Sequence, residues 1–366
     1  MKVLAKFILG GAVACIMACL TAMGRPGGLT SFNGQDYLLL EQWGAANGFQ
    51  ETRANGGRGL WLEDGRTRLG FQMNTSVAEI NGEHVRLSYP IACQGGQLYI
   101  SELDVATLIH PLVDPPGMQV RRPVTICVDP GHGGRDTGNR VGSGLLARNE
   151  KTYTLALALV LRKELEEAGF RVILTRNRDV YVPLPARPGL ANERRADLFV
   201  SLHFNASQVD SGSVSGPETY CITPEGAKSS NDHGEEMDGA ADTGWTTANG
   251  HEAESLILAY EVEKTLVQGL HAPDRDVRRA RFAVLRDARM PAILVEGGYM
   301  TNPAEGNKIK SAAYREEMAR LIVTGIEQYL RVVGRMVDTR SMTEAGGAGT
   351  RFAAGLGRES QGGGAQ

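Results

Sequence analysis

The sequence is poor in cysteine and carries almost no net charge, and both features exclude classes of protein. Five cysteines occur among 366 residues, and the formal net charge is -3. Two cysteines lie in an apolar N-terminal run, and the spacings of Cys93, Cys127 and Cys221 match neither a disulfide scaffold nor a zinc knuckle. We interpret Cys127 and Cys221, which lie in apolar runs, as buried free thiols, with a disulfide between them as the alternative in an oxidising compartment. Because no strongly basic surface is implied, nucleic acid is excluded as an expected partner.

The start of the chain has the pattern of an export signal. Two lysines precede an uncharged apolar run from Phe7 to about Met23. This pattern predicts a signal peptide or lipoprotein leader over residues 1–24, with an uncleaved anchor as the alternative. The letters IMAC, ending at Cys19, resemble a lipobox, in which the cysteine is lipidated and attaches the protein to a membrane; the alternative is ordinary cleavage after Gly24. Either route predicts an exported, periplasmic or cell-envelope protein.

The remaining chain divides by composition into four stretches. Residues 29–112 contain short strand candidates and turn signals, which predict a small α+β module. Residues 113–122 are proline-rich and predict a linker, residues 123–334 form a second domain, and the Gly/Ala-rich residues 335–366 predict a disordered tail. Within the first module we expect helices at Tyr37–Ala46 and Ser101–Ile109, and strands at Leu60–Leu62, Arg68–Phe71 and His84–Tyr89.

The second domain alternates between strand and helix patterns. Strands are predicted at Val124–Val128, Arg171–Thr175, Leu198–His203, Thr219–Ile222, Ala283–Arg286 and Ala292–Glu296. Helices are predicted at Thr152–Ala168, Arg187–Ala196, Glu254–Gly269 and Ala312–Val332. This alternation indicates an α/β fold with a mostly parallel sheet flanked by helices, preceded by the small α+β module.

Polar side chains follow three of the predicted strands. His132 comes after the first strand, His203 ends the strand that starts at Leu198, and Glu296 ends the strand that starts at Ala292. In open α/β sheets ligands bind beyond the carboxyl ends of the strands, so we expect these side chains to share one crevice. An unpaired buried carboxylate is costly, and Glu296 therefore needs a partner or a function.

Two histidines in one crevice suggest a zinc ion. A catalytic zinc takes three protein ligands and keeps one position open. Glu150, which follows a glycine-containing loop at a helix start, is the best candidate for the third ligand. Each residue alone also has a structural interpretation: Glu150 would interact favourably with the helix dipole, His132 could cap a backbone group, and His203 could be a hydrogen-bonded core histidine.

Three segments of the second domain carry a family resemblance. The segments ICVDPGHGGRDTG, NEKTYTLALALVLRKELEEAGFRVILTRNRDVYVPLPARPGLANERRADLFVSLHFNAS and RFAVLRDARMPAILVEGGYMTNPAE resemble the zinc-dependent N-acetylmuramoyl-L-alanine amidases over residues 123–332. The resemblance implies one zinc ion bound by His132, Glu150 and His203, with Glu296 as the catalytic residue. It also implies that the substrate is peptidoglycan, cut at the amide between N-acetylmuramic acid and L-alanine.

Further residues are candidates for contact with the substrate. Arg187 and Asn192 match a recurring arginine and asparagine of that family; we favour salt-bridge or packing roles, with substrate contact as the alternative for Arg187. Asn205 could orient the neighbouring histidine or touch substrate. Residues 223–253 depart from the family pattern and predict a surface loop near the cleft, which either contacts substrate through Trp245 or has no role.

Other functions stay open at this point. A second metal could bind at His233 or His251. A zinc carboxypeptidase on a similar scaffold would need an arginine for the substrate carboxylate, for which Arg187 and Arg281 are candidates. A non-catalytic wall-binding protein is the remaining alternative, and the sequence does not identify a regulatory protein partner.

The first module has a resemblance of its own. The segments FNGQDYLLLEQWGAANGF and AEINGEHVRLSYPIACQGGQLYISELDVATLI resemble the N-terminal module of copper amine oxidases, over residues 29–111. This resemblance implies a non-catalytic accessory module.

Overall fold

The computed structural model describes residues 29–120, 122–144, 147–209, 212–230 and 243–336. The predicted leader, with Cys19, lies outside these ranges, as do most of the predicted tail and residues 231–242 of the predicted surface loop. Among the described residues, no helix combines the length and apolar character that crossing a bilayer requires.

The N-terminal module contains an antiparallel meander and a smaller antiparallel sheet. The strands are β1 (Thr30–Phe32), β2 (Gln35–Leu39), β3 (Gln50–Ala54), β4 (Gly59–Glu63), β5 (Arg68–Gln72), β6 (Val77–Ile80), β7 (Glu83–Arg86), β8 (Ala92–Gln94) and β9 (Gln97–Ser101). Helical pieces are α1 (Leu40–Ala46), the 3-10 turn Asn55–Gly57, and a continuous stretch of Glu102–Asp104, the π-helical turn Val105–Ile109 and His110–Val113. Burial alternates along β6 and β7, so one face of the meander packs on the core.

The second domain is built around a central set of parallel strands. Its strands are β10 (Met118–Val120), β11 (Thr125–Pro130), β12 (Arg140–Val141), β13 (Arg148–Asn149), β14 (Arg171–Leu174), β15 (Leu198–Asn205), β16 (Glu218–Cys221), β17 (Val277–Arg279), β18 (Ala292–Tyr299) and β19 (Gly334–Met336). The order β14-β11-β15-β18 is parallel throughout, as predicted, and β16 then runs antiparallel to β18. Continuous burial along β11 fits a strand covered on both faces.

Helices cover this sheet. They are α2 (Glu150–Glu167), α3 (Ala186–Glu193), the 3-10 turn Thr247–His251, α4 (Glu252–Leu270), α5 (Ala283–Arg286), α6 (Pro303–Lys310) and α7 (Ala312–Val333). Leu157, Leu161 and Leu165 of α2 are buried at helical spacing, and this stripe places α2 against β11 and β15. The packing fixes the N-terminus of α2 close to the carboxyl ends of those strands.

A shared sheet and a buried ion pair join the two parts of the protein. Strand β17 pairs in parallel with β7 through Val277 and Val85, so the meander continues the sheet of the second domain. Nearby, the buried Arg279 donates to Asp104 Oδ1 at 2.5 Å and to Ser88 Oγ at 2.7 Å. Within the predicted linker at 113–122, β10 pairs with β19 near the end of the described chain. The domain boundaries themselves, and the resemblance of the first module, stay predictions.

Several local predictions are wrong. Residues Ala283–Arg286 form the helix α5 and not a strand, because a segment of four residues is too short to show a period of two or of 3.6. The predicted helix at Tyr37–Ala46 begins only at Leu40, since Tyr37 belongs to β2. Strand β17 and helix α6 were not predicted. Both Cys127 and Cys221 are buried free thiols, as interpreted from the sequence.

Candidate metal and catalytic site

A glycine-rich loop after β11 presents the first histidine. His132 has a φ of 61°, in the left-handed region that non-glycine residues rarely adopt. Its neighbour Gly131 leaves room for the other histidine, because a Cβ at this position would lie 2.3 Å from the His203 ring. The rings of His132 and His203 pack edge to face, with their centroids 4.9 Å apart.

The carboxylate of Glu150 lies between these two rings. One oxygen is 3.1 Å from His132 Nε2, and the other is 3.0 Å from His203 Nδ1. The ligand atoms that the three residues offer lie within 4.8 Å of one another. The N–H groups of Asn139 and Phe204 donate to the same carboxylate at 2.8 and 3.1 Å. The three residues predicted as ligands therefore converge, and their donor set of two imidazoles and one carboxylate suits zinc.

These contacts shift the proton affinities of the cluster. Burial raises the pKa of Glu150, but hydrogen bonds from the two histidines outweigh burial and hold this pKa well below its usual value. Burial lowers the pKa of His132, but the hydrogen bonds and charges of Glu150 and Asp136 outweigh it and raise this pKa. The metal-free cluster thus favours an ionised carboxylate, which is the form that a metal ion requires.

Glu296 stands beside the cluster on the next strand. In the parallel pairing of β15 and β18, Glu296 is the partner of His203, so both side chains project from the same face of the sheet. Among the described residues, the buried Oε2 atom of Glu296 has no hydrogen-bond partner. Burial, together with the negative charges of Glu150 and Glu218, raises the pKa of Glu296 well above its usual value. Such a carboxyl group is suited to accepting and returning a proton.

All four side chains line one cleft of about 580 Å³. Its lining combines the two histidines and the two glutamates with apolar side chains that include Leu184, Phe282, Val284 and Leu294. Such a combination of apolar lining and a few convergent polar groups is typical of a binding site for a small or extended ligand.

Arg187 does not lie where the substrate contact considered for it would require. Its side chain is buried, and it donates to Asp129 Oδ1 at 2.8 Å and to the His132 carbonyl at 2.9 Å. The guanidinium therefore fixes the loop that carries the histidine. Asn192 also has a packing role, because its amide donates to the Asp287 carbonyl and accepts from the Arg289 N–H.

The remaining residues predicted to contact substrate are not among the described residues that line the cleft. The side-chain oxygen of Asn205 accepts from the N–H of Ala206. Trp245 is 60% exposed, and neither residue is among the described residues that line the cleft. His233 lies outside the described residues, whereas His251 ends a 3-10 turn before α4. Substrate contact by Asn205 or Trp245 stays a prediction.

The sequence interpretation missed two residues of the site. Asp136 places both carboxylate oxygens 3.0 Å from His132 Nδ1, and Asn139 lines the cleft while donating to the Phe204 carbonyl. The available signal was a carboxylate four residues after a histidine in a turn, which is too common a pattern to identify a contact.

A second group of metal-ligating side chains lies at the junction with the first module. His84, Asp274 and Asp276 bring potential ligand atoms within 4.8 Å of one another. Their hydrogen bonds explain the cluster without a metal ion. Asp274 accepts from the backbone N–H of His84 at 2.7 Å, and Asp276 accepts from the Arg86 guanidinium at 2.7 Å. We interpret it as a structural contact between β7 and the loop before β17.

Comparison with known proteins gives matches over the second domain. The family model of N-acetylmuramoyl-L-alanine amidase matches residues 126–328, more than half of the chain. The chain is 35% identical over 231 residues to the amidase AmiC of Neisseria meningitidis, covering 58% of this chain and 54% of that protein. It is 34% identical over 216 residues to the amidase LytC of Bacillus subtilis, covering 58% of this chain and 37% of that protein.

These two relatives are matched over only about half of their length or less. Among solved structures, the chain is similar to the amidase AmiC2 of Nostoc punctiforme, with 32% identity, a TM-score of 0.46, and coverage of 57% of this chain and 97% of that one. The family match spans the segment that contains both histidines and both glutamates of the cleft. The chain belongs to the N-acetylmuramoyl-L-alanine amidase family.

Proposed function

We propose that this protein is a zinc-dependent hydrolase that cuts the amide bond between N-acetylmuramic acid and L-alanine in peptidoglycan. The observation that carries the proposal is the convergence of His132, Glu150 and His203 beside Glu296 in one cleft. Three ligands of this chemistry, open on one side to a cleft, fit a catalytic zinc. When bound, zinc supplies a Lewis acid that acidifies water and polarises a carbonyl group.

The protein's own residues then handle the proton. Glu296 accepts a proton from the attacking water and returns it to the nitrogen of the leaving L-alanine. The raised pKa of this carboxyl group makes its conjugate base strong, and its unpartnered Oε2 atom is free to take up the proton. Glu150 cannot take this role, since both of its oxygens are already engaged by the two histidines.

The arrangement of arginines argues against a carboxypeptidase. Such an enzyme needs a guanidinium directed at the free carboxylate of its substrate. Arg187 donates to Asp129 and main-chain carbonyls, and Arg281 donates to the carbonyls of Pro224 and Ala227 at 2.6 and 2.7 Å. Arg187 is therefore used inside the protein, and Arg281, which lines the cleft, already has both terminal nitrogens engaged by main-chain carbonyls.

Peptidoglycan as substrate places the proposed site of action in the cell envelope. The leader predicted at residues 1–24 fits this location, and lipidation of Cys19 would tether the enzyme to a membrane. The mass of the mature N-terminal peptide from the native host distinguishes a lipidated cysteine from ordinary cleavage after Gly24.

Product analysis tests the proposed reaction. Purified protein is incubated with peptidoglycan, and released products are identified by mass spectrometry, with and without a zinc chelator. We expect stem peptides with a free L-alanine N-terminus, lost on chelation and restored by zinc. Removal of terminal amino acids alone would favour a carboxypeptidase, and binding without any release would favour a wall-binding protein.

A further inference from the structure

We propose that Asp136 is the positioning residue that holds His132 in the orientation and tautomer needed for metal binding, an inference that rests on the metal site of the proposed function. His132 Nδ1 lies 3.0 Å from both Asp136 oxygens. An ionised carboxylate only accepts hydrogen bonds, so Nδ1 must carry the proton. Nε2, which lies 3.1 Å from a Glu150 oxygen, is then the nitrogen that faces the metal site.

The unusual backbone conformation of His132 requires support from its surroundings that a residue in a regular strand would not require. A residue with a φ of 61° persists only where the surroundings hold it. Arg187 holds the His132 carbonyl at 2.9 Å. Asp136 holds the imidazole ring, so the backbone and the ring of His132 have separate partners.

Asp136 is itself fixed before any metal arrives. The N–H of Gly138 donates to its Oδ1 atom at 3.0 Å. Its backbone N–H and carbonyl exchange hydrogen bonds with Gly133 at 3.1 and 2.9 Å. The carboxylate is therefore anchored at both its backbone and its side chain, and it presents a rigid acceptor to the ring.

Without this acceptor, the metal-free site would favour the wrong tautomer. Glu150 offers a carboxylate oxygen to Nε2, and a neutral imidazole could place its single proton there and donate it to that oxygen. A histidine protonated at Nε2 cannot bind a metal through this atom. Asp136 removes the competition by binding the proton at Nδ1, a task that partners of metal-bound histidines commonly perform.

Zinc affinity of the full chain tests the proposal. Asp136→Ala, Asp136→Asn and Asp179→Asn are compared with the unmodified protein by competition with a chromophoric chelator. Asp179 is the matched control, because it accepts from the Gly134 N–H of the same glycine loop at 2.7 Å. In the part of the chain that the structure describes, no hydrogen bond or ion pair joins Asp179 to His132. We expect Asp136→Ala to bind zinc roughly 10–100-fold more weakly, as for other partners of ligating histidines. Asp136→Asn retains an acceptor oxygen and should lose less, and Asp179→Asn should match the unmodified protein.

A spectroscopic measurement separates positioning from general stability. In nitrogen-15 spectra of the zinc-loaded protein, the Nδ1–H signal of His132, assigned by correlations within its own side chain, should be protected from exchange. This protection should disappear in Asp136→Ala and persist in Asp179→Asn. Unchanged zinc affinity in Asp136→Ala, or an equal loss in Asp179→Asn, would overturn the inference. Because affinity is measured without substrate, failure of the protein to release stem peptides would count against the proposed reaction and leave this inference intact.

Discussion

Replacing Arg187 by methionine tests whether this residue supports the site or contacts the substrate. The side chains of Arg187 and Asp129 are 1% and 0% exposed, and they form an ion pair at 2.8 Å. Removing one partner of a buried pair costs roughly 3–5 kcal/mol, because the other charge stays buried without compensation. Asp129 keeps a hydrogen bond from Ser201 at 2.8 Å, so we expect a loss in the free energy of unfolding near the lower limit, about 3 kcal/mol.

Urea unfolding of the full chain, followed by circular dichroism, measures this loss against a matched control. Arg162→Met removes the cation of a similar ion pair with Glu166, at 2.9 Å, but these side chains are 46% and 47% exposed. We expect the control to lose at most about 0.5 kcal/mol. Equal stability of the two variants, combined with a raised KM for peptidoglycan in Arg187→Met alone, would refute the structural role and restore substrate contact.

Three further variants test the packing of the site, the pH dependence of stability and the buried ion pair between the two parts of the chain. Gly138→Ala would place a Cβ 2.5 Å from the His132 ring, so zinc binding should be lost in calorimetric titration; Gly144→Ala, with a similar φ of 60° and no neighbour within 4 Å, should retain it. Burial raises the pKa of Glu305 to about 7 from 4.5, so its stabilising contribution is complete below pH 4.5 and lost as the pH rises through 7. We expect the unfolding free energy to fall by at most about 3 kcal/mol over that interval, and by less in Glu305→Gln. Arg279→Met removes the cation of the buried pair joining the two parts of the chain, and thermal unfolding should show a loss of about 3–5 kcal/mol.

The convergence of the site was predictable because it follows from strand direction. The predicted strand Val124–Val128 and the predicted strand that ends at His203 are apolar runs that the sequence identifies clearly. The carboxyl ends of neighbouring parallel strands lie at one edge of the sheet. The glycine-containing loop before Glu150 allowed this residue to be placed near the same edge. The structure shows that its carboxylate reaches both histidines.

Contacts that depend on an unusual backbone conformation or on packing between distant segments were not predictable. The reach of Asp136 to His132 requires the left-handed φ at the histidine, which local propensity does not favour. The partner of Arg187, more than fifty residues away in the chain, required the packing of α3 against the loop. The continuation of the sheet through β7 and β17 likewise depends on an edge pairing between two distant segments.

The most direct test of the proposed chemistry is peptidoglycan hydrolysis by Glu296→Gln, measured together with its zinc content and compared with Glu150→Gln. If Glu296 transfers the proton, its variant should keep one zinc ion and release stem peptides roughly 10²–10⁴-fold more slowly. Glu150→Gln should lose both zinc and activity, because it removes a proposed ligand. Release of stem peptides at the unmodified rate by zinc-loaded Glu296→Gln would contradict the account.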